Sequence, residues 1–86
     1  MRRVYKYPLP IRDDIEIMMP EECLVLTCKI QHGKPYIWAV VDDESPLIPH
    51  NFHMVGTGHP ADHLDGAFIG QIQMEGGRLV FHLFHA

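Results

Sequence analysis

The chain has 86 residues, 47% of them hydrophobic and 21% charged, and a formal net charge of −4 with its seven histidines neutral. It is too apolar to be disordered, and its length fits one domain, 1–86. The acidic balance and scattered basic residues exclude binding to a nucleic-acid polymer through a basic face. A domain this small buries only about 60 to 65% of its unfolded surface, so we expect a homo-oligomer.

No run of 18 or more apolar residues is present, and the first residues lack the apolar stretch of a secretory signal. We therefore expect a cytoplasmic protein without a membrane partner. Cys23 and Cys28 fall on one expected strand, roughly 16 Å apart, so they cannot pair with each other. Free structural thiols in a reducing compartment follow from that spacing.

The first two expected elements are short strands over 2–9 and 14–20, with Pro8 and Pro10 ending the first. A hairpin over 23–43 follows, turning at His32-Gly33, because glycine takes a positive φ without strain. This register pairs Cys28 with Ile37, Leu26 with Ala39, and Leu24 with Val41 on an apolar face. The reverse face then pairs Lys29 with Tyr36, Thr27 with Trp38, and Val25 with Val40.

A second hairpin over 66–84 is expected to turn at Gly76-Gly77. Its apolar face pairs Met74 with Leu79, Ile72 with Phe81, and Gly70 with Leu83, with Gly70 marking a close approach. Gln73 and Gln71 lie opposite Val80 and His82 on the other face and are expected to be accessible. The residues expected to be buried in the two hairpins are Leu26, Cys28, Ile37, Ala39, Ile72, Phe81 and Leu83.

The remaining segments complete an all-β pattern. Residues 42–51 form a turn-rich connection, 51–56 form a strand, and 60–64 form at most one helical turn beginning at Pro60. About six short strands with hairpin turns predict a small antiparallel sandwich or an open barrel.

The stretch GTGHP, 56–60, departs from the two-residue rhythm of the strands around it. Gly56, Thr57 and Gly58 could turn consecutive N–H groups toward one point, and a helical turn at Pro60 would add its positive end. Such an arrangement binds a phosphate or carboxylate. The stretch lacks the Lys-Ser/Thr ending of a P-loop, and the alternative is a tight turn by which the chain leaves a strand.

The histidines do not predict a metal site. His59 and His63 with Asp62, or His50 with His53, offer suitable donors, but their spacing does not direct them to one point. The chain also has no serine or cysteine in a nucleophilic arrangement. We therefore expect no enzyme, metal or cofactor, and a small hydrolase using His59, Asp62 and His82 is the least favoured alternative.

Tyr36, Trp38 and Lys29 share the second face of the first hairpin. Aromatic rings beside a lysine could stack a planar ring and pair an anion, or they could bury themselves against another protein chain. This Trp38 face therefore predicts a ligand site, an interface, or a pocket between subunits. For an oligomer, we expect Trp38 or its neighbours in or near the interface.

Four stretches, VYKYPLPI, PYIWAVVD, VGTGHP and GQIQMEGGRLVFHLF, resemble a family of short uncharacterised proteins of bacteriophages and bacteria. The family pattern is roughly Y/W-K-F/Y-P-L, L-W-A-L-V-D, G-T-G-H-P and L-V-F-H-L/V-F. The likeness spans nearly the whole chain and departs from the family at His32-Gly33, where Asn-Gly is common. Small phage proteins of this kind often counter host defence, and one route is to trap a nucleotide messenger without cleaving it.

These observations lead to the hypothesis of a non-enzymatic accessory protein, in the host cytoplasm if viral, that sequesters a small anionic, nucleotide-like ligand. The expected ligand-binding residues are Gly56, Thr57, Gly58, His59, Trp38, Tyr36 and His82. The alternative is a protein interaction module that binds a host or phage protein through the Trp38 face.

Overall fold

The computed structural model describes residues 1–86 and consists of seven strands and one short 3₁₀ turn, Glu75–Gly77. The strands are β1 (Arg2–Pro8), β2 (Asp14–Pro20), β3 (Cys23–Gln31), β4 (Lys34–Asp42), β5 (Leu47–Gly56), β6 (Ala67–Met74) and β7 (Leu79–His85). Sheet A has the order β1-β4-β3 and sheet B the order β2-β5-β7-β6, and all pairings are antiparallel. The sheets pack mainly through β3 against β6. The small antiparallel sandwich is therefore confirmed over the open barrel.

The core is a single apolar layer between the sheets, filled by inward-facing residues of β2 to β7 and by Leu9, which follows β1. Its largest fully buried side chains are Phe52, Met19, Ile37, Ile72, Leu83 and Val41. The Cα atoms extend over 40 × 31 × 15 Å, and the short dimension corresponds to two sheets packed about 10 Å apart. No helix is long and apolar enough to cross a membrane.

The first hairpin turns where predicted, at His32 and Gly33, whose φ angles of 52° and 77° fit a type I′ turn. Cys28 pairs with Ile37, Lys29 with Tyr36, and Thr27 with Trp38, as expected from the sequence. The register near the turn is therefore confirmed.

Beyond Thr27 the predicted register is wrong, because β3 contains a β-bulge at Leu26. Val25, rather than Leu26, pairs with Ala39, and Leu24 pairs with Val40. A bulge inserts one residue into the strand, and such a slip exchanges the faces of every residue beyond it. Val25 is consequently 9% exposed and belongs to the core, while Leu26 and Leu24 are 48% and 61% exposed.

The second hairpin has the predicted register from Met74–Leu79 through Gly70–Leu83. Ile72 and Leu83 are buried, Gln71 and Gln73 are exposed, and Phe81 is half-buried rather than buried. The close approach expected at Gly70 is made by a thiol of the opposite sheet, because a Cβ there would lie 3.2 Å from Cys28 Sγ. A second bulge, at Ile69, lies beyond these pairs.

One local prediction in sheet B, the connection over 47–50, is wrong, and residues 60–64, where at most one helical turn was expected, contain none. Residues 47–50, expected in a connection, extend β5 by pairing with β2. Pro49 is tolerated there because β7 pairs with β5 only from Phe52 onward, so no neighbour on that side needs its N–H. The helical turn expected at 60–64 does not form, and a hydrogen-bonded turn from Leu64 N–H to Ala61 C=O replaces it.

Candidate ligand-binding groove

The GTGHP loop begins at Gly56, the last residue of β5, and two of its backbone N–H groups donate to carbonyl groups of the chain itself. Thr57 N–H donates to Val80 C=O (3.1 Å), and His59 N–H donates to Gly56 C=O (3.0 Å). The predicted cradle of consecutive free N–H groups is therefore not formed, and no helix at Pro60 adds a positive end. Gly58, at φ 85°, has open space where a side chain would stand. The binding capacity of this loop consequently lies mainly in its side chains.

The His59 side chain is held against Gly56. A Cβ at Gly56 would lie 3.1 Å from both Nδ1 and Cε1 of the His59 imidazole, which is closer than ordinary van der Waals contact. The absence of a side chain at residue 56 therefore allows the ring to fold back over the end of β5. Gly56 positions His59 as well as ending the strand.

Thr57 contacts His82, another residue that was expected to bind the ligand. Thr57 Oγ1 lies 2.9 Å from His82 Nε2, and the tautomer of His82 decides which of the two groups donates. His82 lies opposite Val55 and Gln71 and alternates with fully buried Leu83, so it stands on the outer face of sheet B. The structure thus brings Gly56, Thr57, Gly58, His59 and His82 together.

The loop forms one wall of an open groove of about 360 Å³, and the start of β7 forms the other. Its lining residues are Gly56, Thr57, His59, Arg78, Leu79, Val80 and Phe81. The volume lies within the roughly 300 to 1,000 Å³ of small-molecule sites. The groove presents a guanidinium, an imidazole and a hydroxyl beside a half-buried aromatic ring, and no carboxylate lines it.

This composition is uncommon on so acidic a chain. Three of the other four grooves contain carboxylates: Glu22 and Asp42 in one, Asp14 and Glu16 in another, and Asp13 in a third. The fourth is lined by prolines, Leu9, Lys34 and Tyr36. The groove beside GTGHP therefore joins a guanidinium, an imidazole and a hydroxyl without a carboxylate, whereas the fourth groove offers only Lys34 and the Tyr36 hydroxyl beside its prolines.

Tyr36 and Trp38, the aromatic residues of the expected site, lie on β4 of sheet A, away from this groove. Tyr36 and Trp38 make an edge contact with ring centroids 6.1 Å apart, and Lys6 Nζ lies 4.4 Å from the Tyr36 centroid. Trp38 alternates with fully buried Ile37 and Ala39, so it stands on the outer face of sheet A. Within one chain, Trp38 and His82 face opposite sides of the sandwich.

The sequence prediction missed four residues that line the groove, Arg78, Leu79, Val80 and Phe81. A signal for Arg78 was present, since it is the sole lysine or arginine after Lys34. Phe81 was expected to be buried in the core; it packs against the core only partly buried, and its pairing with Gly56 also brings it to the groove. No pattern within one hairpin reveals that contact between distant strands.

The catalytic arrangement considered from the sequence has no counterpart in the hydrogen bonds of the structure. His82 contacts Thr57, His59 packs on Gly56, and no hydrogen bond joins Asp62 to either histidine. Burial raises the pKa of the thiols of both Cys23 and Cys28, which keeps them protonated and weakly nucleophilic. Both cysteines are free.

A histidine pair lies at the other end of β5 and β7. His50 Nε2 lies 2.9 Å from Pro20 C=O, so this nitrogen carries the proton and donates. His85 Nε2 lies 3.3 Å from His50 Nδ1, and the His85 ring stacks on Phe52 with centroids 4.5 Å apart. Burial, and secondly the charge of His50, lowers the pKa of His85. No group of three or more His, Cys, Asp or Glu side chains is arranged to hold a metal ion.

Fold and groove together define a small all-β sandwich with a surface groove of mixed polar and apolar lining at one end of its larger sheet. The chain belongs to the DUF7352 family, described as a domain of unknown function, whose family model matches residues 1–86. The resemblance to an uncharacterised family over nearly the whole chain is thereby confirmed. No curated protein and no solved structure matches the chain.

Proposed function

We propose that this protein is a non-enzymatic binding protein that captures a small anionic, nucleotide-like ligand in the groove between GTGHP and the start of β7. The observation that carries the proposal is the lining of that groove, where Arg78, His59 and Thr57 meet without a carboxylate. Anions are bound by guanidinium groups and hydroxyls through charge-assisted hydrogen bonds. The proposal moves the aromatic contact from Trp38 to Phe81.

Each side chain has a defined part in this binding mode. Arg78 pairs with the anionic group, because its planar guanidinium matches phosphate or carboxylate geometry. Thr57, held by His82, supplies a hydroxyl, and His59 supplies an imidazole N–H. The half-buried ring of Phe81 provides an apolar surface for a base.

The biological part of the proposal, a sponge that removes a host-defence nucleotide, rests on the resemblance to small phage proteins and on capture without a catalytic group. A sponge needs affinity alone, so a shallow groove with fixed donors suffices. The host cytoplasm is the compartment in which such a messenger would be met.

Calorimetric titration tests the groove, with inorganic phosphate, adenosine monophosphate and cyclic mono- and dinucleotides as probes. Arg78→Ala is expected to weaken binding of the best nucleotide by about 10- to 100-fold, the usual loss for a hydrogen bond to a charged group. Thr57→Ala and His59→Ala are expected to weaken it less, and added salt should weaken the wild type. Arg12→Ala, an exposed arginine outside the groove, is the matched control.

Two further variants test whether binding depends on the position of the His59 ring and whether it depends on Trp38. Gly56→Ala retains every groove side chain but shifts the His59 ring by a few tenths of an ångström, so it should weaken binding less than His59→Ala does. Trp38→Ala should leave nucleotide affinity unchanged. Binding that is lost with Trp38→Ala and retained with Arg78→Ala would move the site to sheet A, and no binding of any probe by the wild type would overturn the proposal.

The alternative function, a module that binds a host or phage protein through the Trp38 face, is favoured by one observation. Val4 and Leu24, on the same outer face, are 59% and 61% exposed. A partner protein that is retained by Arg78→Ala and lost by Leu24→Asp would identify this function.

A further inference from the structure

The outer face of sheet A is apolar at its centre. Val4, Val40 and Leu24 form one row across the three strands, and Lys6, Trp38 and Thr27 form the next. The bulge adds Leu26 to the second row, since two residues of a bulged strand face one residue of its partner. The face therefore gathers Val4, Val40, Leu24, Leu26 and Trp38, none of which is buried.

The whole molecule has more surface than a compact monomer of its mass. Its accessible surface is 5572 Å², against roughly 5,200 Å² for a 9.9 kDa protein. Its radius of gyration is 13.0 Å, against roughly 12 Å for a compact chain of this length. A flat two-layer shape with exposed leucines on one face is the geometry of a sandwich that gains a third layer from another chain.

Opposite ends of this face carry opposite charges. Glu22 and Asp42 line the groove at one end, together with Arg2, and Lys29 and Lys6 stand on the rows toward the other end. Glu44 N–H donates to Asp42 Oδ1 (3.0 Å) and holds the pKa of that carboxyl below its ordinary value. The acidic end therefore stays charged at neutral pH.

We propose that the outer face of sheet A binds a second copy of this chain, through a two-fold axis that lies in the interface and runs perpendicular to the strands. This operation lays each strand over its own copy in the opposite direction. Leu24 then meets the region of Leu26 in the other copy, Val40 meets Trp38, and Glu22 meets Lys29. The interface is isologous and closes as a dimer.

The size of the face sets the strength of the dimer. Three strands of about seven residues cover roughly 14 × 25 Å of flat sheet, or roughly 350 Å² per copy. This figure does not include the additional area of the side chains that protrude from the sheet. This area is below the roughly 800 Å² per partner of a standard stable interface. The dimer is therefore expected to be reversible, with a dissociation constant in the micromolar range.

Sedimentation equilibrium over about 5 to 500 µM protein tests the proposal, because a reversible dimer depends on concentration. The wild type should pass from monomer to dimer across this range. Leu24→Asp should raise the dissociation constant at least about tenfold by placing a charge at the centre of the interface. Phe68→Asp is the matched control, since Phe68 is equally exposed (59%) and belongs to sheet B.

A charge exchange tests the orientation of the axis. Glu22→Lys and Lys29→Glu should each weaken the dimer, and the double variant should restore it, because the exchanged pair still meets across the axis. A wild type that stays monomeric at the highest concentration overturns the proposal, as does a dimer that Phe68→Asp disrupts and Leu24→Asp leaves intact. Failure of the double variant to restore the dimer overturns the proposed axis.

Discussion

The outer faces of the two sheets differ in chemistry although both are built by the same alternation. Sheet A presents leucine, valine and tryptophan at its centre, with charges at its ends. Sheet B presents His53 bonded to Asp14, and His82 bonded to Thr57 beside Gln71, and it also exposes the apolar side chains of Phe68 and Met18 toward its edges. Apolar faces bury themselves against other chains, whereas clustered polar side chains leave a surface open to solutes. The two proposals accordingly occupy opposite sides of the sandwich.

The two bulges contribute to this difference in opposite directions. The bulge at Leu26 moves Leu24 and Leu26 out of the core and brings Val25 in. The bulge at Ile69 keeps that isoleucine partly buried against the core. A bulge thus decides which side of a sheet receives an apolar side chain, and in sheet A it supplies the outer face.

The largest expected effect comes from charging Val25, and the comparison is with the same change at its neighbour Leu26, the bulge residue. Val25→Asp buries a carboxylate in the core without a partner and should lower the free energy of unfolding by more than about 4 kcal/mol. Leu26→Asp should change monomer stability by about 0.5 kcal/mol and weaken self-association. Denaturant unfolding checks both, and the reverse order would show that the unbulged register is correct.

A smaller effect separates the core from the groove in sheet B. Leu83→Ala should lower the free energy of unfolding by about 2 to 5 kcal/mol, because the side chain is fully buried. Phe81→Ala should lower it less, since that ring is half-buried, but should weaken ligand binding where Leu83→Ala, once folded, should not. Equal ligand binding by the two variants would show that Phe81 does not contribute to the binding site.

The smallest expected effect is the pH dependence of stability that arises from His85, which lies beside His50 at the end of β5 and β7 opposite the groove. The folded state lowers the pKa of His85 below its ordinary 6.5, so the unfolded chain takes up the proton more readily. Its contribution to stability is present above about pH 6.5 and is lost as pH falls from there toward the lowered value.

Thermal unfolding between about pH 7.5 and 5 checks this dependence. His85→Phe should flatten it, because a phenyl ring can keep the stack on Phe52 without titrating. His53→Phe, on the outer face of sheet B, is the control, and it leaves His50 beside His85 in place. An unchanged slope in His85→Phe would assign the dependence to another group.

The alternating runs and the glycine turns by themselves determined an all-β fold of short antiparallel strands, a sandwich or an open barrel, together with the positions of both hairpins and the register of the second as far as Gly70–Leu83. These features are local, since alternation selects a face and a turn selects its opposing residues. The sequence also pointed to Thr57, His59 and His82 as site residues, although the contact between Thr57 and His82 joins the end of β5 to β7.

Tertiary structure alone decided the bulge at Leu26, the extension of β5 across Pro49, and the meeting of Arg78 and Phe81 with the GTGHP loop. Val25 and Leu26 are both apolar, so their side chains do not reveal which of them the core accepts. That choice depends on the fit of β3 against β6, where Gly70 makes room for Cys28. Contacts between strands far apart in the chain, more than any motif, therefore determined which leucines remained outside and which side chains line the groove.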